Sequence, residues 1–331
     1  MNCLDFEDPL DLLLENSEPA PGCMDYHVPV LAEEVVTFLR PAPGILFLDG
    51  TLGGGGHTER LLQAGARVIG LDRDTDALTH AGERLAPFAH RLTLRQANYA
   101  DAAEVLDSLG IETVGGALID IGVSSHQLDT PGRGFSLMHD GPLDMRMGTD
   151  VPLTAADLVN DAPPEELVRI LREYGEENSA VRIVSHLVNR RRTRRFETTG
   201  DLAEAVSQVI PRTGRRHPAT RVFQALRIAV NDELGSLHRG LDAISGRLAR
   251  GARFGVITFH SLEDRPVKVF FKERSVATID RPEWPEARPN PIYIFKAITG
   301  KPVVASDSEQ RANPRSRSAK LRVAERIPYV H

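Results

Sequence analysis

Ile45-Leu-Phe-Leu-Asp-Gly-Thr-Leu-Gly-Gly-Gly-Gly-His57 is the stretch that decides the fold. Ile45 to Leu48 is a short unbroken apolar run bounded by Gly44 and by Asp49-Gly50, the pattern of a strand covered on both faces in a parallel sheet. Glycines fill positions 53 to 56, and Thr58 to Ala64 then reads as a helix that Gly65 ends. Strand, acid, glycines and helix in this order suit the ligand end of an open α/β sheet. Glycine lets the backbone turn sharply and approach a ligand with no Cβ in the way.

The same alternation continues downstream. Arg67-Val-Ile-Gly-Leu71 is a second strand ending in Asp72, Thr75 to Ala86 a helix, and Leu92-Thr-Leu94 a third strand. Asp101 to Leu109 is the next helix and Gly116-Ala-Leu-Ile-Asp120 the fourth strand. Such alternation predicts right-handed βαβ units and a parallel sheet. Upstream, Leu31, Val35, Val36 and Leu39 recur at helical spacing until Pro41-Ala-Pro-Gly44 stops the helix.

Beyond Asp120 the pattern changes to a Gly-rich loop, Gly122 to Gly148. Helical segments follow near Pro164 to Tyr174, Ser179 to Arg192 and Thr199 to Ile210, with no strand signal between them. Strand character returns at Arg253 to Phe259. Arg281 to Ser318 reads as loop and Lys320 to Ala324 as a late edge strand. The expected organisation is an acidic, flexible extension (1–25), a sheet domain (26–132 and 217–331) and an inserted helical domain (133–216).

Charge is distributed unevenly. The net charge is -6, yet the first 25 residues hold seven acids and no Lys or Arg, so the remainder sums to +1. From Asn178 to Arg227 there are eleven Arg against three acids, an excess of the size that polyphosphate binding uses. An acidic start is the opposite of a signal peptide, and no apolar run approaches the ~20 residues that cross a bilayer. Cys3 and Cys23 alone support neither a disulfide framework nor a cysteine metal site, which fits a cytoplasmic protein without membrane contact. No metal is expected.

An acid ending the second strand can accept hydrogen bonds from both ribose hydroxyls of an adenosine, and Asp72 stands there. A dinucleotide fingerprint counted from Gly53 would need glycine where Thr58 stands, and no Lys is present to anchor phosphates. Acids and glycines without a phosphate anchor suit a methyl donor that carries an adenosine and a cationic sulfonium. Asp120, beside Gly122 at the end of the fourth strand, can face the adenine or a reacting amine. Tyr99 can cover an adenine face or fill the core.

Several longer runs carry a resemblance. Asp49 to His57, Leu71-Asp-Arg-Asp74, Asp120-Ile-Gly-Val-Ser-Ser125 with Gln127, and Arg133-Gly-Phe-Ser136 followed by Asp140 to Met147 are four of them. Tyr174-Gly-Glu-Glu177, His217 to Ala225, Phe259-His-Ser-Leu-Glu-Asp-Arg265, Asn313 to Arg317 and Leu321 to Arg326 follow in the same order. Together they resemble the bacterial small-subunit ribosomal RNA cytosine-N4 methyltransferases over about Tyr26 to Arg326. The acidic extension has no counterpart, and Ser275 to Ser308 matches only loosely.

The resemblance implies a class I, Rossmann-like methyltransferase sheet with an inserted helical substrate-recognition domain. It implies S-adenosylmethionine as cofactor and the N4 of a cytidine in the decoding region of 16S ribosomal RNA, within a small-subunit particle, as acceptor. Carried over, Gly53, Gly55, Gly56 and His57 form the cofactor loop, Asp72 meets the ribose and Tyr99 the adenine. Asp120 and Gln127 then lie around the reacting end.

Methyl transfer from a sulfonium is an in-line displacement with an activated leaving group, so positioning dominates. The cytosine amine has its lone pair delocalised into the ring, and an acceptor for its N–H bonds assists. Many amino-methyltransferases place Asp/Asn-Pro-Pro-aromatic at this strand end. This chain has Asp120-Ile-Gly-Val123, which makes Asp120 or a nearby carbonyl the candidate acceptor. Substrate-side candidates are His217, Arg221, His260 and the arginines Arg191, Arg192, Arg194 and Arg195. A methyltransferase of another nucleic acid, or a non-catalytic RNA-binding ribosome-assembly factor on the same fold, are the alternatives.

Overall fold

The computed structural model describes residues 29–212 and 217–328; the acidic extension with its two cysteines, and Arg215 and Arg216 of the basic stretch, lie outside the described residues. The described chain divides into a sheet unit, within His27–Gly122 and Leu234–His331, and a helical unit, Val123–Glu233.

The sheet unit begins with α1 (Ala32–Leu39), β1 (Leu46–Asp49), α2 (Gly56–Gln63) and β2 (Arg67–Asp72). It continues through α3 (Thr75–Arg84), β3 (Leu92–Gln96), α4 (Ala102–Ser108) and β4 (Val114–Asp120). The helical unit follows with α5 (Ser125–Asp129), α6 (Ala155–Asp161), α7 (Pro164–Glu173), α8 (Ala180–Arg191), α9 (Thr199–Val209) and α10 (Thr220–Asn231). Helix α11 (Glu233–Gly246) leads back into β5 (Leu248–Thr258) and α12 (Ser261–Arg274). Short strands β6 (Thr278–Ile279), β7 (Arg288–Pro289), β8 (Phe295–Ala297) and β9 (Val303–Val304) precede α13 (Asp307–Ala312) and β10 (Lys320–Arg326).

The main sheet runs β3-β2-β1-β4-β5-β10-β8, parallel from β3 to β5, with β10 antiparallel to β5. This is the Rossmann-like α/β architecture expected from the sequence. Alternation explains why its strands read as unbroken apolar runs. Leu48, Ile69, Leu71, Ala117 and Ile119 pack into one core, while Phe47, Val68 and Leu118 pack into another. Gly116 completes the fit, because a Cβ there would overlap the Phe47 ring. Strand order reverses between β1 and β4, which marks the ligand end of such a sheet.

Two expectations differ from the structure. β10 is not an edge strand: β8 and β9 pair with its other side, so Leu321, Val323 and Ala324 are buried. The helical unit extends past 133–216 at both ends, because Leu128 of α5 and Val222, Phe223 and Leu226 of α10 belong to its single core. Among the described residues no helix is long and apolar enough to cross a membrane.

Candidate active site at the carboxyl ends of the strands

Asp49 ends β1 almost fully buried. Thr58 Oγ1 donates to its Oδ2 at 2.6 Å, and the Thr51 N–H donates to Oδ1 at 3.2 Å. Desolvation raises its pKa above the ordinary carboxylate value, opposed by the Thr58 hydroxyl and by His57. Thr51 in turn accepts the Asp120 N–H at 2.6 Å, tying the end of β4 to the loop after β1.

The loop bends through left-handed backbone at Gly53 (φ 50°) and Gly55 (φ 78°), a region that disfavours side chains. A Cβ on Gly53 would meet nothing within 4 Å, whereas one on Gly55 would sit 2.9 Å from Leu85 Cδ1 and one on Gly56 3.0 Å from Pro29. The loop is therefore packed from below and open at Gly53. The Gly53 N–H donates to Asp72 Oδ2 at 2.8 Å and the Asp74 N–H to Oδ1 at 2.9 Å. Burial pushes the Asp72 carboxyl up to about 6, with the two N–H donors opposing.

His57, in the first turn of α2, is 6% exposed, and its Nε2 lies 3.4 Å from Asp120 Oδ2. His57 Nδ1 and Asp120 Oδ1 are buried and make no hydrogen bond among the described residues. Such orphaned polar atoms are rare in folded proteins and call for a ligand or a chemical task. Tyr99 follows β3, wedged so that a Cβ on Gly50 would lie 2.9 Å from its Cβ and one on Gly240 of α11 would overlap its ring. His260 follows β5, with Nε2 at 2.7 Å from Glu263 Oε1, and Glu263 Oε2 accepts the Phe259 N–H at 2.8 Å. Gly53, Gly55, Gly56, His57, Asp72, Tyr99, Asp120 and His260 thus all belong to the loops or termini at the carboxyl ends of this sheet's strands.

The remaining candidates lie in the helical unit. Gln127 is buried on α5, where its Oε1 accepts the Ser124 N–H and its own N–H donates to Ser124 Oγ, a reciprocal cap. His217 Nδ1 accepts the Ala219 N–H, and Arg221 donates to the Glu176 carbonyl. Arg191 donates to the Val159 and Ala162 carbonyls at 2.8 and 2.9 Å, capping the end of α6. Arg195 makes a two-pronged pair with Asp161, and Arg194 reaches Asp201 at 3.1 Å. Arg192, Arg194 and Arg195 are exposed.

Sequence reasoning missed Thr51 and Thr58, which clamp Asp49, and Asn231, which pins the Asp140–Met147 segment. Asn231 Oδ1 accepts the Met147 N–H and its Nδ2 donates to the Met145 carbonyl. Met145 is held at φ 62°, a strained conformation for a non-glycine residue. The threonines flanking the glycine loop were a local signal; Asn231 offered none. A shallow, open depression of about 820 Å³ lies along α8 and the end of α9, lined by Asn178, Arg182, His186, Asn189 and Gln208.

The chain is 49% identical to a ribosomal RNA small subunit methyltransferase H of Geotalea uraniireducens over 91% of its length and 99% of the relative's. Proteins of the same name from Heliobacterium modesticaldum and Geobacter sulfurreducens are each 50% identical, over 91% of this chain and 99% of theirs. Among solved structures, a putative methyltransferase from Streptococcus mutans in complex with SAH is 11% identical at a TM-score of 0.41, covering 89% of this chain and 95% of that one. A family model matches residues 24–327, and the chain belongs to the MraW methylase family.

Proposed function

We propose that this chain transfers a methyl group from S-adenosylmethionine to the exocyclic N4 of a cytidine in the decoding region of 16S ribosomal RNA, within a small-subunit particle in the cytoplasm. The carrying observation is the buried, unbonded Oδ1 of Asp120 beside His57 at the end of β4. Membership of the family and the names of its relatives support the substrate class.

The residues present fit the cofactor. Open space at Gly53 and the acid Asp72 make a cradle for an adenosine, and no Lys is present there to demand phosphate. When bound, the cofactor supplies a methyl group already activated on a cationic sulfonium. Gly53, Gly55 and Gly56 would line it, Asp72 would accept from the ribose hydroxyls, and Tyr99 would cover the adenine. The Asp72 carboxylate keeps lone pairs beyond those its two backbone donors use.

Asp120 performs the chemistry left to the protein. Its Oδ1 accepts an N–H of the cytosine amine, favouring a tetrahedral nitrogen whose lone pair is available, and takes the proton as the new N–C bond forms. The cytidine must first leave its stack, at a cost of a few kcal/mol, roughly, which contacts to the flanking strand offset. We assign those contacts to the helical unit: Arg192, Arg194, Arg195, Arg221 and His217, with His260 on the substrate side of the sheet unit. The acid-free lining of the α8–α9 depression suits an RNA backbone, since amides and hydroxyls also bind phosphate oxygens.

Incubation with labelled methyl donor and, in parallel, small subunits from a strain lacking the enzyme, naked ribosomal RNA, or DNA tests this reading. Label entering small-subunit RNA supports it; label entering DNA alone, or none, refutes it.

A further inference from the structure

His57 belongs to the cofactor loop by position, yet its ring nitrogen is aimed elsewhere. Nε2 lies 3.4 Å from Asp120 Oδ2, both ring nitrogens are buried, and neither makes a hydrogen bond among the described residues. That distance is slightly beyond the range of an ordinary N–H···O bond.

The residues on either side hold His57 still. Gly56 is packed against Pro29, and Thr58 is locked to Asp49 by its 2.6 Å hydrogen bond. Asp120 is fixed differently: its backbone N–H is bound by Thr51, but its carboxylate accepts no hydrogen bond from the described residues at Oδ1. The His57 ring is thus the group that can set the direction of this carboxylate. An N–H on Nε2 is the donor that can meet the Asp120 carboxylate.

We propose that His57 is a positioning residue for Asp120: its Nε2–H donates to Oδ2 and turns Oδ1 towards the cytosine amine. The inference rests on Asp120 being the amine's acceptor. It gives the histidine of the glycine loop a task in the transfer step, separate from cofactor affinity.

Three variants test it, H57L, H57Q and D120N, each measured for cofactor affinity by calorimetry and for kcat on undermethylated small subunits at saturating cofactor. H57L removes the donor and is expected to lower kcat roughly 10–100-fold while cofactor Kd stays within about threefold. H57Q restores an N–H donor and is expected to return kcat to within about fivefold of the parent. Loss of cofactor binding in both His57 variants, or an H57Q no more active than H57L, overturns the proposal. D120N separates the two layers. If it keeps full kcat, the reading of Asp120 fails and this inference with it; if it loses turnover while H57L keeps it, only the inference fails.

Discussion

In the helical unit several of the arginines that composition suggests for phosphate are committed to the fold, whereas in the sheet unit buried polar atoms at the strand ends lack hydrogen bonds among the described residues. Arg190 pairs with Asp201 and lies over the Phe196 ring, Arg191 caps α6, and Arg227 forms a buried pair with Glu233. The sheet unit holds His57 Nδ1 and Asp120 Oδ1 buried and without a hydrogen bond among the described residues. Buried polar groups normally find partners, so the helical unit uses its polar groups for stability, while the unbonded atoms of the sheet unit are the ones the proposed chemistry would use. A count of charges therefore overstates what a surface can offer to RNA.

Breaking the sheet unit should produce the largest effect. Gly116→Val puts a side chain into the Phe47 ring between β1 and β4, and chemical denaturation should show a loss of about 3 kcal/mol, the upper end for overpacking. A loss under about 0.5 kcal/mol would mean that the strands part easily there. Next comes Arg191→Met, which strands two carbonyls at the end of α6 and should cost about 1–3 kcal/mol while leaving RNA affinity unchanged. The triple variant R192M/R194M/R195M reverses that pattern. Its exposed ion pairs hold little stability, about 0–1 kcal/mol each, but RNA affinity and its salt dependence should both fall. Equal RNA binding by the triple variant and the parent would remove these arginines from the interface.

The smallest effect concerns Asp72. Its carboxyl is raised to about 6 by burial, so the folded protein binds a proton that the unfolded chain releases near the ordinary value of 3.8. Stability from this group is greatest at low pH and declines as pH rises from about 4 to about 6, because the ionised form is disfavoured in the fold. Asp72→Asn should flatten that segment of the stability profile and weaken cofactor binding. An unchanged slope in thermal melts would show that Asp72 is well solvated.

Much of the sheet was legible because it obeys local rules. β1, β2 and β4 are apolar runs ended by Asp49, Asp72 and Asp120, and α7, α8 and α9 carry helical periodicity into their core. The short strands β6 to β9 were not legible, since two or three residues among prolines show no period. Helix α10 and the start of α11 escaped for another reason. Arg227, Asn231 and Glu233 are buried there, so polar residues occupy inward positions where a pattern reading expects apolar ones. The partners of the arginines were equally hidden, because Asp161 and the carbonyls of Val159 and Ala162 lie some thirty residues away from Arg191 and Arg195. Within the site, the acids and glycines could be placed by position alone. The approach of His57 to Asp120 needed β1 and β4 side by side.

The most direct test of the central claim is to react the protein with S-adenosylmethionine and small subunits from a strain lacking the enzyme, digest the RNA, and locate the new methyl group by mass spectrometry. The account predicts N4-methylcytidine at a single position in the decoding region. A methyl group on a ring carbon, on another base, or elsewhere in the RNA would contradict it.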